Sequence, residues 1–594
     1  MGKVKRISLA SRIISWRLKN LTGKQFVLIL SLVIGIASGF AAVVIKNTVH
    51  FISQFVSQVT ADNSLTYMYI IFPSVGILLA VLFIKFIIRR PVRHGVPNVL
   101  YAISKNNGLI NRHNMFSSII ASALTVGMGG SVGLEGPTVS TGAAIGSNVG
   151  RYFRLNYKQI TLLLGCASSA AMAAIFKAPI AAIVFAIEVI MLDLTVASIL
   201  PLLLASVSAV LTSYFFLGQN VLYPFELKVL FNLGQLPFYI LLGIVTGLIS
   251  AYFTKMYVYI EKLFKKFDNI YKRLLIGGLL LGFLIALFPT LYGEGYEDIN
   301  QCLSGNYDYI FKNDLFAAFQ DNFYIIIALL VIVVLLKVIA ASITFGAGGV
   351  GGIFAPTLFM GVNTGLLFSM IVNHFNPDKL PVSNFALVGM AGMIAGVLHA
   401  PLTGIFLIAE LTGGYELFVP LMISASFSFF VVKLFNPHSV YTIQLAHRKE
   451  LITHDKDKAI LTLMDVKSLI ETEFISVHAD ETLGDLVKVV AKSKRNIFPV
   501  IDDENDMQGV VFINDIRHII FKPELYDSTL VSEIMFMPQP IVDPDESMED
   551  VAKKFASSQH YNLPVLKNGK YIGFVSRANV FSAYREKLRE FSDY

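Results

Sequence analysis

The stretch GGSVGLEGPTVSTGAAIG, residues 129–146, decides the fold of this chain. Six of its eighteen residues are glycine, and a glycine inside an ordinary helix costs about 1 kcal/mol relative to alanine. The stretch also contains one carboxylate, Glu135, in an otherwise apolar segment. The Gly136-Pro137 pair predicts that a helix begins here, because proline fits the first helical turn. The unpaired N–H groups at such a start form the positive end of the helix dipole, which attracts anions.

The same pattern occurs a second time in the chain. At an offset of 219 residues, Gly130, Gly133, Pro137-Thr138, Gly142 and Gly146 are repeated as Gly349, Gly352, Pro356-Thr357, Gly361 and Gly365. Ala178–Glu188 also matches Ala400–Glu410, at an offset of 222. Duplicated membrane halves with helices interrupted by Gly and Pro indicate a transport site near the bilayer midplane. Glu135 in the first copy corresponds to Phe354 in the second, so the carboxylate itself is not repeated.

The composition indicates a protein that crosses the membrane several times. Of 594 residues, 55% are hydrophobic and 15% are charged, and the mean hydropathy is +0.64. Apolar spans of about 20 residues match the thickness of a bilayer core. The clearest spans are Phe26–Ile45, Tyr67–Ile88, Thr195–Leu217, Leu236–Tyr252, Leu274–Phe288, Phe323–Phe345 and Leu417–Leu434.

Charge and cysteine content restrict the topology and the chemistry. Residues 1–24 contain seven Lys or Arg and no acid, which predicts a cytoplasmic N-terminus rather than a nucleic-acid partner. The two cysteines give no disulfide framework. We find no paired carboxylates, metal-ligand cluster or nucleophile–base arrangement, so we expect neither an enzyme nor a metal site. The acidic segment 292–322 predicts an aqueous loop whose acids are solvated.

A second duplication follows the membrane region. Phe498-Pro499-Val500 matches Leu563-Pro564-Val565, and each unit predicts the order strand, helix, strand, strand, helix. The predicted helices are Leu483–Ser493 and Met548–Ser557. The predicted boundaries are a basic tail at 1–24, membrane halves at about 25–220 and 235–446, a charged linker at 447–462, and two soluble units at 463–524 and 530–588.

The helix starts suit an anion that must leave water. Fixed donors must replace its hydration shell, yet a full positive charge would hold it too tightly to release it. Backbone N–H groups meet both demands around Gly95-Val96-Pro97, Gly133–Pro137 and Gly352–Pro356. The Glu135 carboxylate would compete with the anion until protonation neutralised it, which predicts a pH-sensitive gate. The alternative is a glutamate that caps its own helix.

These motifs resemble the CLC family of chloride channels and chloride/proton antiporters. The resemblance rests on Gly133-Leu134-Glu135-Gly136-Pro137, on Gly352-Ile353-Phe354-Ala355-Pro356, on the internal duplication and on two C-terminal units similar to CBS domains. It covers nearly the whole chain after the basic tail. It implies an all-α membrane domain of inverted repeats with broken helices, a cytoplasmic α/β CBS pair, a homodimer with one pore in each subunit, and chloride as the bound ligand.

The resemblance also implies roles for single residues. Glu135 corresponds to the gating glutamate, and the Tyr441 hydroxyl would be a neutral donor to the anion, although a lone tyrosine at a membrane boundary is more often an interface anchor. The backbone or side-chain groups predicted to bind the anion are those of His94, Gly95, Val96, Gly133, Gly136, Ile353 and Phe354. The family usually has serine at His94. An imidazole could donate to the anion, more strongly when protonated, or only the Gly95 and Val96 amides face the anion.

A second departure from the family concerns protons. Proton-coupled members often have an internal glutamate at the position of Val189, so this residue favours a passive channel, although some antiporters also lack the acid. The neighbouring Glu188 repeats as Glu410, which favours a structural role for both.

The CBS pair resembles a regulatory module that in some proteins binds adenine nucleotides. Such sites use a Thr or Ser followed three residues later by Asp. The first unit has Phe512 and Asp515, and the second has Ser576 and Asn579, so each is half complete. Asp515 and Ser576 are therefore candidate nucleotide-binding residues, and a purely structural or dimerising role is the alternative.

The sequence therefore predicts chloride transport across the cell membrane, with both termini in the cytoplasm. The predicted mechanism is passive, channel-type conduction gated by Glu135 and regulated by the CBS pair. One alternative is a proton-coupled chloride antiporter. The other is a nucleotide-sensing membrane scaffold, against which the irregular backbone at membrane depth argues.

Overall fold

The computed structural model describes most of the chain, in two compact units, Met1–Leu451 and Ile452–Tyr594. The described residues are 20–60, 68–90, 95–190, 196–219, 231–313, 316, 318–377, 379–447, 461, 464–537, 539–558 and 560–592. Within them the first unit is helical and the second combines helices with two small sheets, which is the predicted fold class.

The described part of the first membrane half contains eight helices. These are α1 (Gly23–Thr60), α2 (Met68–Leu82), α3 (Gly95–Lys105), α4 (Asn114–Gly127), α5 (Glu135–Tyr152), α6 (Tyr157–Phe176), α7 (Pro179–Phe185) and α8 (Val196–Leu217). Two π-helical turns, Phe83–Ile88 and Ala186–Ile190, extend α2 and α7.

The second half repeats this arrangement. Its described helices are α9 (Leu236–Lys265), α10 (Ile270–Leu287), α11 (Tyr296–Leu303), α12 (Phe323–Gly346), α13 (Phe354–Phe375), α14 (Val382–Leu398), α15 (Pro401–Leu411), α16 (Phe418–Phe435) and α17 (Ile443–His447). The 3-10 turns Leu233–Gln235, Pro289–Leu291 and Asp308–Phe311 connect some of them.

Nine of the described helices are long and apolar enough to cross a membrane. The seven predicted spans all lie on helices, although Tyr67 and Thr195 fall outside the described residues, as do residues 220–230 near the junction predicted at Gly218–Gly234. The prediction missed α6 and α13. In their most apolar windows, 83% and 78% of the residues are buried inside the protein, so these helices contact other helices rather than presenting a continuous lipid-facing surface.

The duplicated glycines allow two equivalent helix pairs to approach closely. A Cβ at Gly142 or Gly146 of α5 would collide with the α6 backbone. In the second half, a Cβ at Gly361 or Gly365 of α13 would collide with the α14 backbone in the same way. Small residues spaced four apart are the usual means of close helix packing in membranes. Glycine is therefore required here for packing, which offsets its poor helix propensity.

The two central helices also begin at equivalent positions of the repeat. Helix α5 begins at Glu135 and α13 begins at the equivalent Phe354. The Gly130 N–H donates to Thr125 O at 2.8 Å, and in the second copy the Gly349 N–H donates to Thr344 O at 2.9 Å. The turns that lead into the two central helices thus have the same backbone hydrogen bond.

The second unit contains two similar halves. Its described helices and strands are α18 (Leu483–Lys492), β1 (Ile497–Ile501), β2 (Met507–Phe512), α19 (Ile513–Ile516), α20 (Val531–Ile534), α21 (Met548–Ser558), β3 (Asn562–Lys567), β4 (Lys570–Ser576) and α22 (Arg577–Ser592). The strands form two antiparallel hairpins, β1 with β2 and β3 with β4.

The two halves of this unit also pair with each other. Glu471 of the first half exchanges backbone hydrogen bonds with Phe574 of β4, and Phe536 of the second half does the same with Val510 of β2. The predicted first strand of each half is wrong, because only Val477 and Val542 form a parallel bridge, to Val500 and Val565. The predicted helices are confirmed as α18 and α21.

Candidate functional site

The starts of three broken helices meet inside the membrane unit. A Cβ placed on Gly136 of α5 would lie 3.0 Å from the Cα of Gly352, just before α13, and 3.5 Å from the Cα of Gly95, the first residue of α3. Gly95 has a φ of +57°, which glycine adopts without strain. Because the first N–H groups of a helix have no intrahelical acceptor, three sets of backbone donors are available at one place.

The two motif copies are joined directly by their backbones. The Gly133 N–H donates to Gly352 O at 2.8 Å, and the Gly352 N–H donates to Gly133 O at 2.7 Å. These residues are equivalent in the repeat, so the reciprocal pair lies where an axis relating the two halves would pass. Antiparallel pairing at that point is what inverted repeats require.

The Glu135 carboxylate lies at this crossing. Its side chain is 2% exposed, and Oε1 accepts a hydrogen bond from the Tyr296 hydroxyl at the start of α11. Oε2 lies against Gly133 and near Gly352, and the Glu135 and Ala355 N–H groups face the carboxylate. Among the described residues Oε2 has no hydrogen bond of good geometry. The carboxylate therefore occupies a position between two helix starts that suits an anion.

The other predicted anion-binding residues of the second half are buried in the same core. Ile353 and Phe354 are 4% and 1% exposed, and the Phe354 ring packs at 5.2 Å on Phe176. Tyr441 is also buried, and its hydroxyl lies within electrostatic range of Glu135. The structure thus brings Tyr441 and Glu135 to one region, although 306 residues separate them in the chain.

The residues of the first half divide into two groups. Gly95, Val96, Gly133 and Gly136 are buried at the helix starts described above. His94 lies outside the described residues, so its contact with an anion stays a prediction.

Sequence reasoning missed a group of charged residues beside Glu135. Glu294 is half-buried and accepts a hydrogen bond from the Leu134 N–H at 3.1 Å, and Asp298 is buried and forms an ion pair of 2.8 Å with Lys312. The prediction that the acids of segment 292–322 are solvated is therefore wrong for these two. A signal was available in Gly293-Glu294-Gly295, because it brackets a carboxylate with glycines much as the first motif does.

Lys337 of α12 completes this group. It is fully buried, donates to Gly293 O at 3.0 Å, and lies 4.8 Å from the centre of the Phe359 ring. Its charge interacts with those of Glu294 and Asp298. A buried cation thus balances one acid of α11 and one acid of the loop before it.

Glu188 and Glu410 have equivalent structural contacts in the two halves. Glu188 accepts hydrogen bonds from the Leu402 and Thr403 N–H groups at the start of α15, at 2.9 and 2.7 Å. Glu410 accepts from Ile180 and Ala181 at the start of α7, at 3.0 and 2.8 Å. Each half therefore caps a helix of the other. Val189, next to Glu188, is buried in the π-helical turn after α7.

The candidate nucleotide residues lie in different surroundings. Asp515 is exposed in the short α19, whereas the Ser576 hydroxyl donates to Glu471 Oε1 at 2.5 Å and accepts from the Asn579 N–H at 3.2 Å. An aromatic cluster lies between the two halves of this unit, where Phe474 and Phe574 are 4.8 Å apart. Burial raises the pKa of the nearby Tyr571 hydroxyl above its usual range, so it is a neutral donor.

Both units of the chain match the models of known protein families. The model of the family described as voltage gated chloride channel matches residues 75–433, and the CBS domain model matches 466–522 and 531–586. The chain belongs to the CLC family. It is therefore a multi-pass membrane protein of a family of transporters and channels rather than enzymes.

Curated relatives include both proteins named as channels and proteins named as exchangers. A putative chloride channel protein ClcB-like from Ralstonia nicotianae is 28% identical over 64% of this chain and 85% of its own length. The H(+)/Cl(-) exchange transporter ClcA of Yersinia pestis is 27% identical over 71% of this chain and 87% of its own length.

Solved structures share the fold. A slow cyanobacterial Cl-/H+ antiporter matches with a TM-score of 0.62 and 22% identity over 72% of this chain and 99% of its own. A eukaryotic CLC transporter matches with the same TM-score of 0.62 and 18% identity, over 96% of this chain and 99% of its own.

Proposed function

We propose that this protein transports chloride and exchanges it for protons. The relatives named H(+)/Cl(-) exchange transporter favour this alternative over the passive conduction that Val189 suggests. The single observation that most supports it is the position of the Glu135 carboxylate between the starts of α5 and α13. A group that occupies an anion's position and can bind a proton links the two movements.

The exchange follows from what Glu135 does in its two protonation states. As a carboxylate it fills the position between the helix starts and excludes an anion by charge and by volume. When it is protonated, its attraction to the positive helix ends is lost, so the side chain leaves and chloride binds to the freed backbone N–H groups. Return of the side chain releases the proton to one side and expels the anion, and repetition of these steps moves the two ions in opposite directions.

The proton must also reach Glu135 from the cytoplasmic side, where the usual family acid is replaced by Val189. Glu188 is a poor substitute, because its carboxylate is held by α15 N–H groups and by the Thr403 hydroxyl at 2.6 Å. We infer that water conducts the proton past Val189. This route gives slower proton movement than a dedicated side chain would.

The reversal potential of the purified full chain in planar bilayers tests this function. With a chloride gradient alone, exchange and conduction both give a reversal potential of the same sign as the chloride Nernst potential. A superimposed pH gradient shifts the potential if the protein exchanges protons, and that is the result we expect. A potential that stays at the chloride Nernst value at every pH gradient would contradict exchange and support the channel that Val189 favours.

We further propose that the second unit regulates transport and that adenine nucleotides bind between its halves. The aromatic cluster of Phe474, Phe574 and Tyr571 supports a stacking site for a base. The Glu471 carboxylate on Ser576 opposes it, because an acid disfavours a phosphate. Calorimetric titration of the full chain with ATP should give saturable binding, and absence of heat at millimolar ATP would leave only a structural role.

We also propose a homodimer in the cell membrane, with both termini in the cytoplasm. Helices α8 and α16 expose large apolar side chains, including Phe215, Phe216 and Phe430, which a partner copy or lipid can cover. Light scattering of the detergent-solubilised protein should give twice the chain mass of 65.5 kDa after correction for detergent. A mass equal to one chain would exclude the dimer.

A further inference from the structure

A second carboxylate, that of Glu294, lies directly beside the gating position. Its Oε1 accepts the Leu134 N–H at 3.1 Å, and Leu134 is the residue immediately before Glu135. Two residues further along the chain, Tyr296 donates its hydroxyl to Glu135. One turn of backbone, from Glu294 to Tyr296, thus contacts the Glu135 region at two points.

The backbone of this turn is held in a defined conformation. Gly293 and Gly295, on either side of Glu294, have φ values of +61° and +83°. A Cβ on Gly295 would lie 2.7 Å from the Phe359 ring of α13, and the Gly293 carbonyl accepts the buried Lys337 ammonium at 3.0 Å. The turn therefore has little freedom to move Glu294 away from Leu134.

The charged groups around Glu294 come from several parts of the membrane unit. Glu135 of α5 repels its carboxylate, whereas Lys46 of α1 and Lys337 of α12 attract it. Lys337 also attracts Asp298 of α11, so one lysine interacts with both acids. Asp298 is also paired with Lys312, so the group has three lysines and three acids, and one proton added to the acids changes its net charge from neutral to positive.

We propose that Glu294 exchanges a proton with Glu135 and so forms the outer end of the proton path; this rests on the chloride/proton exchange proposed above. The O–H bond of protonated Glu294 breaks as an O–H bond forms on the Glu135 carboxylate, directly or through one water. The negative charge moves from Glu135 to Glu294, where Lys46 and Lys337 stabilise it. The Glu135 side chain, now neutral, leaves the helix starts and admits the anion.

The test compares Glu294→Gln with Glu297→Gln in full-length protein reconstituted in liposomes. Glu297 is an exposed acid three residues further along, in the first turn of α11, so it controls for the loss of one charge nearby. Chloride flux and proton flux are measured together, and the readout is their ratio at several external pH values. We expect E294Q to lower the proton-to-chloride ratio by at least about tenfold, since loss of a positioned acid–base group typically costs about 10²–10⁴-fold, and E297Q to match the wild type. Glu294→Asp, which retains an acid, should recover most of the ratio.

The outcomes separate this proposal from the function on which it rests. A wild-type protein without proton flux contradicts the exchange itself. A wild type that exchanges protons, together with an E294Q protein of unchanged ratio and unchanged external pH dependence, overturns the role of Glu294 alone. Should E294Q fail to fold by size-exclusion chromatography, Glu294→Asn removes the carboxylate and keeps a side-chain carbonyl oxygen on this turn, and the same ratio decides.

Discussion

The two copies of the central motif have equivalent backbones and different side chains. Around Gly133 and Gly352 the hydrogen bonds, the helix starts and the close glycine packing match, residue for residue. Two residues later, at the first position of each helix, one copy has Glu135, in contact with Tyr296, and the other has Phe354, packed on Phe176. The backbone, which both copies need for an anion site, is symmetric, and the group that changes charge is present once.

This difference separates structural roles from transport roles. A residue whose contact is repeated in both halves stabilises the architecture, and its removal should cost similar stability in either half. A residue without an equivalent acts on the ions, and its removal should change transport. Substitutions in the two classes should therefore differ in whether they change stability or transport.

The largest effect on stability is expected at the reciprocal helix caps. Replacing Glu188 or Glu410 by Ala leaves N–H groups at a helix start without acceptors, at a cost of about 1–3 kcal/mol each. Glu188→Ala should cost more, because Thr403 Oγ1 also donates to this carboxylate at 2.6 Å. Thermal unfolding in detergent measures both.

The control for the caps is Glu416→Ala, since this acid is exposed between α15 and α16. We expect its melting temperature to equal that of the wild type. If Glu188→Ala were as stable as this control and lost only proton flux, Glu188 would act on the ions although its contact is repeated in both halves. That result would contradict the proposed separation of structural and transport roles.

A smaller effect is expected at Tyr441, which has no equivalent in the first motif. Tyr441→Phe keeps the ring and removes one neutral donor, worth about 0.5–1.5 kcal/mol. Chloride affinity measured by calorimetry should fall by about 2- to 10-fold, while the melting temperature stays close to that of the wild type. Unchanged affinity would remove Tyr441 from the anion site and leave it as a packing residue.

The sequence predicted those features that depend on a repeated pattern. The duplication, the three helix starts and the buried position of Glu135 follow from glycine and proline spacing, because few backbones other than broken helices tolerate it. Helices α6 and α13 were missed as spans because they are buried in protein, where hydropathy is a poor guide.

The charged group beside Glu135 was missed for a different reason. Glu294, Asp298 and Lys337 come from a loop and two helices, and only the tertiary fold brings them together. Their local sequence is that of an ordinary polar loop and an apolar span with one lysine. Similarly, the contact of Tyr296 with Glu135 joins residues 161 positions apart, and no spacing rule predicts it.

The most direct test of the asymmetry replaces each of the two equivalent residues and measures proton and chloride flux in liposomes over a range of external pH. Glu135→Gln should abolish proton flux and leave a chloride flux that no longer depends on pH, because the amide cannot titrate. Phe354→Leu should retain both proton flux and pH dependence. If Glu135→Gln kept the pH dependence of the wild type, the group that changes charge would lie elsewhere, and the central claim would be wrong.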